Sequence, residues 1–386
     1  MQANALSISR RKFGQLLGVG VGAFVARPAM SFARSVEPAA QSNFFSASES
    51  SVVRLSSNEN PYGPSPSALQ AMTDSFKLAC RYPDEHADYL VQMVARMHGV
   101  NPNQVLLGDG SGEILKLAAT AFTGSGSNDK NARGALVAAD PTFEAILNHA
   151  AINGAEVIKI PLTATYSHHL PKMGGAAKQG LVYVCNPNNP TASITPKKEL
   201  QDFIANSPQQ TTILVDEAYY HYADSPQYES VIPLVKDHPN LIVARTFSKI
   251  YGMAGLRCGY CVAQREMIDK MRPHQPWDSI NIMALAAASA SLKDQEQVAN
   301  GRRLNSEAKD FVANALDTMG YKQIPSQANF VMIDVRRPVP PLIQAFKQRG
   351  VEVGRLFPAL PTHLRVTVGK KAEMETFLTT FKQLLA

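Results

Sequence analysis

Seven short apolar runs recur between residues 104 and 262, and they restrict the fold more than any other feature of the sequence. Helical or loop segments separate them, and several are rich in Val and Ile. Continuous apolar runs of this length are typical of strands that are buried on both faces of a sheet. The alternation therefore predicts an α/β fold with a mostly parallel sheet, in which ligands bind at the carboxyl ends of the strands. The runs cover 104–107, 135–139, 156–160, 181–185, 213–215, 241–244 and 258–262.

The length of 386 residues exceeds the usual range of a single domain, so we expect two. Residues 1–33 are interpreted as a leader, and 34–82 as an N-terminal arm and a first helix that belong to the small domain. Residues 83–284 are predicted to form the large ligand-binding domain. Helices and strands alternate on a smaller scale in 285–386, which predicts a small C-terminal α+β domain. The hydrophilic segment 124–134 is predicted to be an exposed loop.

The first 33 residues resemble a twin-arginine export signal. Arg10 and Arg11 precede an apolar stretch at 16–26, and Ser31 and Ala33 are small residues at the positions that a signal peptidase reads. Eleven residues in a helix span about 16 Å, which is too short for a bilayer. We therefore expect cleavage near Ala33, a periplasmic protein and no stable membrane anchor.

Charge and cysteine content argue against several classes of function. The formal net charge of +6 falls to +2 without the leader, because the leader carries four cations and no acid. This balance gives no case for a nucleic-acid partner. Cys258 and Cys261 have the spacing of a metal motif, but in a strand their side chains point to opposite faces. Because no second pair of ligands completes a site, no metal is expected.

A lysine follows one of the predicted strands in a context that suits covalent chemistry. Lys249 lies between Ser248 and a glycine-containing turn, and Arg257 follows eight residues later. A neutral lysine amine attacks carbonyl groups, and hydroxyl and guanidinium groups are common partners of a phosphate. A reactive lysine, an aldehyde for it to attack and a phosphate site together indicate pyridoxal phosphate. Taken alone, this window also fits a basic loop at the end of a strand.

Two other strand ends carry groups that suit the same ligand. Ser111 and Gly112 lie where a strand leads into a helix, and a helix N-terminus favours a phosphate. Asp216 directly follows an apolar strand, where burial would raise its pKa unless it meets a cation. The protonated nitrogen of a pyridine ring is such a cation. Small residues are common at such junctions, so Ser111 and Gly112 alone are a weak signal.

Three further residues are candidates for contacts with the ring of the ligand. Tyr219 lies three residues after Asp216, and Asn189 belongs to an Asn- and Pro-rich turn that offers amide donors to a phenolate oxygen. Phe143 has no donor, so its role would be stacking. Each of these residues also has an ordinary interpretation, as a packing tyrosine, a turn residue or a core phenylalanine. Their occurrence together, in this order, favours a ligand site.

The complete series of motifs resembles the class I/II aminotransferases of fold type I, and most closely the histidinol-phosphate aminotransferase subgroup. The resemblance covers the chain from about Val52 to the C-terminus. The motifs are Asn-Glu-Asn-Pro-Tyr-Gly at 58–63, Arg-Tyr-Pro-Asp at 81–84, Gly-Ser-Gly-Glu at 110–113, Asn-Asn-Pro-Thr at 188–191, Asp-Glu-Ala-Tyr at 216–219, Ser248-Lys249 and Arg257.

The resemblance implies roles for the residues around pyridoxal 5'-phosphate. Lys249 would form the covalent link with the cofactor and move the proton at the substrate Cα, and Asp216 would hold the pyridine nitrogen. The phenolate oxygen would be bound by Tyr219 and Asn189, and Phe143 would stack on the ring. The phosphate would be bound by Ser111, Gly112, Ser248 and Arg257.

The resemblance also implies how the substrate and a second subunit contribute. Arg365 would bind the anionic group of the substrate, with Arg355 as a second arginine in the same pocket. Tyr62 would close over the substrate, and Asn189 would contact it. Tyr82 would reach the cofactor phosphate of the neighbouring subunit, which implies a homodimer with shared active sites.

The implied reaction is a ping-pong transfer of an amino group between an amino acid and a 2-oxo acid or a related carbonyl compound. The subgroup suggests histidinol phosphate and 2-oxoglutarate as the substrates. A broad or aromatic amino-acid aminotransferase in the periplasm, and a related pyridoxal phosphate decarboxylase, are the alternatives. Two departures stand out. Gly112 stands where relatives mostly have an acid. Ala192 stands where they usually have a glycine, so the turn could differ because its methyl group disfavours positive φ.

Overall fold

The computed structural model describes residues 52–124, 134–177 and 179–385. The leader predicted at residues 1–33 and most of the loop predicted at 124–134 lie outside these ranges. The strands are β1 (Val53–Leu55), β2 (Val105–Gly108), β3 (Ala135–Asp140), β4 (Val157–Pro161), β5 (Gly180–Cys185), β6 (Thr211–Asp216), β7 (Leu241–Thr246), β8 (Gly259–Ala263), β9 (Lys322–Ile324), β10 (Phe330–Asp334), β11 (Val351–Val353) and β12 (His363–Thr367).

The helices alternate with these strands along the chain. They are α1 (Pro66–Ser75), α2 (Asp84–His98), α3 (Gly110–Phe122), α4 (Ala145–Ile152), α5 (Leu170–Ala176), α6 (Lys197–Asn206), α7 (Arg265–Met271), α8 (Ile282–Ser291), α9 (Gln295–Thr318), α10 (Val339–Gln348) and α11 (Lys371–Leu385). Within the described ranges, no helix combines the length and the apolar character needed to cross a bilayer.

Seven strands form one sheet, in the order β2-β8-β7-β6-β5-β3-β4. The pairs among β3, β4, β5, β6 and β7 are parallel, whereas β8 runs antiparallel to both of its neighbours. The predicted α/β fold with a mostly parallel sheet is therefore confirmed. Each of the seven predicted apolar runs became one strand of this sheet, with boundaries shifted by one or two residues.

The sheet is buried on both faces, which explains the unbroken apolar runs. Along β5, Val182 and Val184 pack into one hydrophobic cluster, while Leu181 and Tyr183 pack into the other. Successive side chains of a strand point to opposite faces, so a strand covered on both sides needs apolar residues at every position. The same alternation separates the two cysteines of the CxxC motif: both are buried and free, and they belong to different clusters.

Two small sheets complete the described part of the chain. The strands β12, β10 and β9 form an antiparallel sheet, and β1 pairs in parallel with β11. Their core contains three phenylalanines, Phe346, Phe377 and Phe381, with ring centroids 5.5–6.4 Å apart. The N-terminal arm thus pairs with the C-terminal part of the chain. The domain boundaries at residues 82 and 284 stay a prediction.

The long helix α9 begins at Gln295, directly after Asp294. The side chain of Asp294 accepts a hydrogen bond of 3.0 Å from the backbone N–H of Gln297 and so caps the helix. Such a cap satisfies a backbone donor at the N-terminus and allows a polar first turn that periodicity alone does not reveal.

Candidate active site

The predicted site residues follow the carboxyl ends of neighbouring strands. Asp216 is the last residue of β6, Asn189 follows β5, and Lys249 follows β7. Since β5, β6 and β7 are adjacent and parallel, their carboxyl ends meet at one edge of the sheet. The turn after β2 also reaches this edge, because β2 runs antiparallel to β8 and therefore parallel to β7.

Lys249 is held by the backbone of the N-terminal arm. Its Nζ donates a hydrogen bond of 3.1 Å to the carbonyl oxygen of Asn58 and lies 5.5 Å from the centre of the Tyr219 ring. Burial lowers the pKa of Lys249 to about 8, and the positive charge of Arg365 acts in the same direction. The lowered pKa increases the fraction of neutral amine near neutral pH, and the neutral amine is the reactive form.

Asp216 is a buried carboxylate with two hydrogen-bond donors. Its Oδ2 accepts a bond of 2.9 Å from the hydroxyl of Tyr183, and its Oδ1 accepts one of 3.1 Å from the N–H of Ala218. Burial raises the pKa of Asp216 to about 6, although these hydrogen bonds and the charge of Lys249 oppose the rise. A buried carboxylate with so few charged neighbours is well suited to a cationic ring nitrogen.

Tyr219 lies between the arm and the small antiparallel sheet. Its hydroxyl accepts a hydrogen bond of 3.0 Å from Nδ2 of Asn58, and its ring packs edge-on against Phe330 with centroids 5.1 Å apart. Burial raises the pKa of Tyr219 well above its usual value, so the hydroxyl keeps its proton. It can therefore act as a hydrogen-bond donor to a phenolate oxygen.

The N-terminus of α3 and an arginine form a cradle that fits a phosphate. Gly110 begins α3 with a φ of 72°, and a Cβ there would collide with the guanidinium of Arg257. Nη2 of Arg257 donates to the carbonyl oxygen of Asp109 at 3.3 Å, and its Nη1 lies 3.5 Å from Oγ of Ser248. Free N–H groups of the first helical turn, here including Ser111, and a nearby guanidinium together favour a dianion.

Arg365 reaches from β12 to the turn after β5. Its Nη1 donates to Oδ1 of Asn189 at 2.8 Å, and its Nη2 donates to the carbonyl oxygen of Ser56 at 2.6 Å. Burial lowers the pKa of Arg365 to about 10, so it stays charged at neutral pH. The Nε of this buried guanidinium has no hydrogen-bond partner in the part of the chain that the structure describes. A buried cationic donor without a partner favours an anionic ligand beside it.

Arg355 lies close to Arg365, but its guanidinium already forms an ion pair with Glu144. The two guanidiniums lie 4.3 Å and 5.1 Å from the centre of the same ring, that of Phe357. Nη2 of Arg355 donates to Oε2 of Glu144 at 2.6 Å. The sequence analysis did not single out this glutamate, which is separated from Arg355 by 211 residues in the chain.

The aromatic candidates differ in how the structure connects them to the site. Phe143 is exposed, and its neighbour Thr142 donates a hydrogen bond of 2.9 Å to Oδ1 of Asn188, which fixes its loop to the turn that carries Asn189. Tyr62 is also exposed and lies on the arm. The side chain of Tyr82 is 81% exposed, and no described contact joins it to the site of its own chain.

Several site residues escaped the sequence analysis. Asn58 appeared only as part of a motif, yet it adopts a φ of 55° and contacts Lys249, Tyr219 and Thr367. Nδ2 of Asn329 donates to the same Asn58 carbonyl oxygen at 3.1 Å. Asparagine tolerates the left-handed region of backbone conformation. An asparagine in a turn-rich arm was therefore the sequence signal that could have indicated Asn58 as a site residue.

The turn at Ala192 has a left-handed conformation. Its φ is 58°, so the methyl group does not prevent positive φ here, and a difference from the turn of the relatives stays a prediction. Hydrogen bonds of 2.8 Å hold it on both sides, from its N–H to the Asn188 carbonyl oxygen and from the Gln327 N–H to its own carbonyl oxygen. These contacts offset the cost of positive φ.

Comparisons with known proteins agree with this geometry. The model of the aminotransferase class I and II family matches residues 50–381. The histidinol-phosphate aminotransferase of Moorella thermoacetica is 38% identical over 341 residues, which cover 87% of this chain and 86% of that protein. The histidinol-phosphate aminotransferase of Symbiobacterium thermophilum is 37% identical over 339 residues, which cover 86% of this chain and 91% of that protein.

A solved structure is similar over the same region. The crystal structure of histidinol-phosphate aminotransferase from Sinorhizobium meliloti in complex with pyridoxal-5'-phosphate has a TM-score of 0.77 and 25% sequence identity. The alignment covers 86% of this chain and 91% of that one.

The comparisons overturn the predicted periplasmic location. The relatives that match 86–87% of the chain are named histidinol-phosphate aminotransferase, and they give no support to export. The family model begins only at residue 50, and the segment interpreted as a twin-arginine signal lies outside the described residues. The prediction of a periplasmic location relied on this short local pattern alone, and it was wrong.

Proposed function

This chain belongs to the aminotransferase class I and II family, and on that premise we propose that it transfers the amino group of histidinol phosphate to 2-oxoglutarate. The products are imidazole acetol phosphate and glutamate. At the level of the family, the chain is a pyridoxal phosphate-dependent enzyme that moves an amino group between an amino acid and a 2-oxo acid. The names of the relatives support the finer assignment.

The choice of histidinol phosphate as the substrate is based on the pair of arginines at Phe357. Arg365 is buried, and its Nε has no hydrogen-bond partner in the described part of the chain. Arg355 lies against the same Phe357 ring and is the more exposed of the two arginines. A phosphate dianion benefits from more than one guanidinium, because each can donate two parallel hydrogen bonds. An amine with a phosphate in the position of an amino acid's carboxylate, such as histidinol phosphate, suits this arrangement.

The cofactor is proposed to lie across the strand ends. Ser111, Gly112, Ser248 and Arg257 hold its phosphate, and Asp216 bonds to its ring nitrogen. Tyr219 and Asn189 bind the phenolate oxygen, and Phe143 covers the ring. The bound cofactor supplies an aldehyde for the amino group and a ring that accepts the electrons released when the Cα–H bond breaks.

Lys249 is proposed to move the proton. Its neutral Nζ takes the proton from the substrate Cα as a general base, and a pKa near 8 keeps a useful neutral fraction at physiological pH. The ionised carboxylate of Asp216 keeps the ring nitrogen protonated. Tyr62, on the arm, closes over the bound substrate and excludes water.

The active unit is proposed to be a homodimer that shares its sites. Tyr82 is available to a neighbouring subunit because 81% of its side chain is exposed. Trp277 is 95% exposed and borders the same surface cavity as Pro83 and Asp88 at the start of α2. An exposed aromatic patch of this kind is typical of a protein interface.

A direct assay tests the proposed function. The purified protein, loaded with pyridoxal phosphate, should form glutamate from histidinol phosphate and 2-oxoglutarate. Lys249→Ala should abolish glutamate formation, whereas Lys198→Ala, on the exposed face of α6, should leave it unchanged. Turnover of aromatic amino acids but not of histidinol phosphate would replace the proposed substrate. Release of carbon dioxide without a need for a 2-oxo acid would identify a decarboxylase.

A further inference from the structure

Glu144 occupies an unusual position for a carboxylate at a helix N-terminus. It is the residue directly before α4, where a side chain often caps the helix, but it makes no capping hydrogen bond. Its Oε2 instead accepts the 2.6 Å bond from Nη2 of Arg355. Local helix chemistry therefore does not account for the direction of this side chain.

The ion pair lies where a ligand can reach it. The side chains of Arg355 and Glu144 are 53% and 46% exposed, so water and solutes have access to both. Phe143, the neighbour of Glu144, is the candidate for the cofactor wall. Arg355 shares the Phe357 ring with Arg365, which is bonded to Asn189. The carboxylate thus stands at the outer end of the proposed substrate pocket.

We infer that Glu144 is a specificity-determining residue that occupies Arg355 and thereby limits the preference of the site for a phosphate over a carboxylate. This inference rests on the proposed function. The pocket holds two guanidiniums and one carboxylate, so its net charge is lower than the arginines alone would give. A phosphate that takes Arg355 must displace Glu144 and tolerate its charge, and this repulsion is smaller for the single charge of a carboxylate.

The physical consequence is a graded effect of ligand charge. The interaction of Glu144 with a ligand scales with the charge of the ligand, so a phosphate dianion is disfavoured more than a carboxylate. Because the pair is half exposed, solvent screening keeps the effect moderate. Glu144 therefore allows the same pocket to accept the phosphate of histidinol phosphate and the carboxylate of an amino acid.

The substitution Glu144→Gln tests this role with little change in shape. In the holoenzyme it should raise the ratio of kcat/KM for histidinol phosphate to that for phenylalanine by about fivefold. It should also tighten the Kd for inorganic phosphate, measured by calorimetry, by a similar factor. In an Arg355→Gln background the same substitution should change neither quantity, since there is no guanidinium left to release.

A control variant and three contrary results complete this test of Glu144. Asp202→Asn breaks an exposed ion pair on α6, with Lys198, and should alter neither the ratio nor the Kd. An unchanged phosphate Kd in Glu144→Gln, or an equal gain without Arg355, would overturn the inference. A wild-type holoenzyme without activity on histidinol phosphate would contradict the proposed function instead, and the phosphate calorimetry would still decide the role of Glu144.

Discussion

Burial dominates the ionisation of both central residues of the site, in opposite directions. It raises the pKa of Asp216 to about 6 and lowers that of Lys249 to about 8. Both shifts disfavour the charged form, and the attraction between the two groups offsets only part of this effect. The site is therefore unfavourable for folding in the absence of a partner for Asp216, and a cationic ring nitrogen would supply that partner.

The substitution Asp216→Asn should stabilise the cofactor-free protein in a pH-dependent way. The folded-state pKa of about 6 lies above the usual value of 3.8, so the folded protein keeps a proton that the unfolded chain loses between these two values. Wild-type stability consequently falls as the pH rises through this window and stays lower above pH 6. Asparagine does not titrate, so its advantage should grow to on the order of 2 kcal/mol above pH 6.

Urea unfolding of both cofactor-free proteins at pH 4 and pH 7 measures this difference. The gain from asparagine should be present at pH 7 and largely absent at pH 4, where the folded protein keeps the proton and the unfolded chain has lost only about half of it. The same variant should bind pyridoxal phosphate more weakly. An equal difference in stability at both pH values would contradict the assigned pKa of Asp216.

At the scale of elements, the N-terminal arm lies directly on the loop that carries Lys249. Nδ2 of Asn60 donates to the carbonyl oxygen of Ile250 at 2.8 Å. Gly252 has a φ of 68°, and a Cβ on it would collide with the backbone of Gly63. A glycine is required here for two independent reasons, the backbone conformation and the close approach of the arm.

Gly252→Ala should therefore displace the arm from the lysine loop. We expect a loss of more than about 1 kcal/mol in the free energy of unfolding, because the alanine is strained and the arm must move. The KM for the amino donor should rise, since Tyr62 lies on the displaced arm. Gly255→Ala is the matched control: its Cβ meets no atom within 4 Å, and this variant should behave as the wild type. If both variants unfold and turn over alike, the arm is not held at Gly252.

At the scale of the whole molecule, the proposed dimer can be tested through Trp277. Sedimentation of the holoenzyme should give the mass of two chains. Trp277→Asp should lower this mass to that of one chain, because a charge would be buried in the interface. Activity should fall in parallel, since Tyr82 would no longer reach a second site. As a control, Ile152→Asp changes another exposed apolar residue, which is 81% exposed, and should leave the dimer intact. A monomeric and fully active wild type would contradict the shared site.

Much of the large sheet and of the cofactor site could be predicted from local sequence. Apolar runs fix the strands because a strand covered on both faces needs an apolar side chain at each position, as β5 shows. Asp216 could be found because it follows such a run directly, and Lys249 because it lies in the turn five residues after one. The strands β1 and β9 were missed, since each has only three residues, too few to show a periodicity. In addition, β1 is defined by its pairing with a distant strand.

The sequence by itself therefore determined the α/β fold, the strand ends that carry the reactive groups, and the family. It did so because hydrophobic periodicity and motif chemistry are contained within short stretches of chain. Only the tertiary structure decided that Tyr183 donates to Asp216, that Asn58 holds Lys249, and that Glu144 occupies Arg355. These contacts join residues far apart in the chain, and their geometry depends on how the completed sheets bring the segments together.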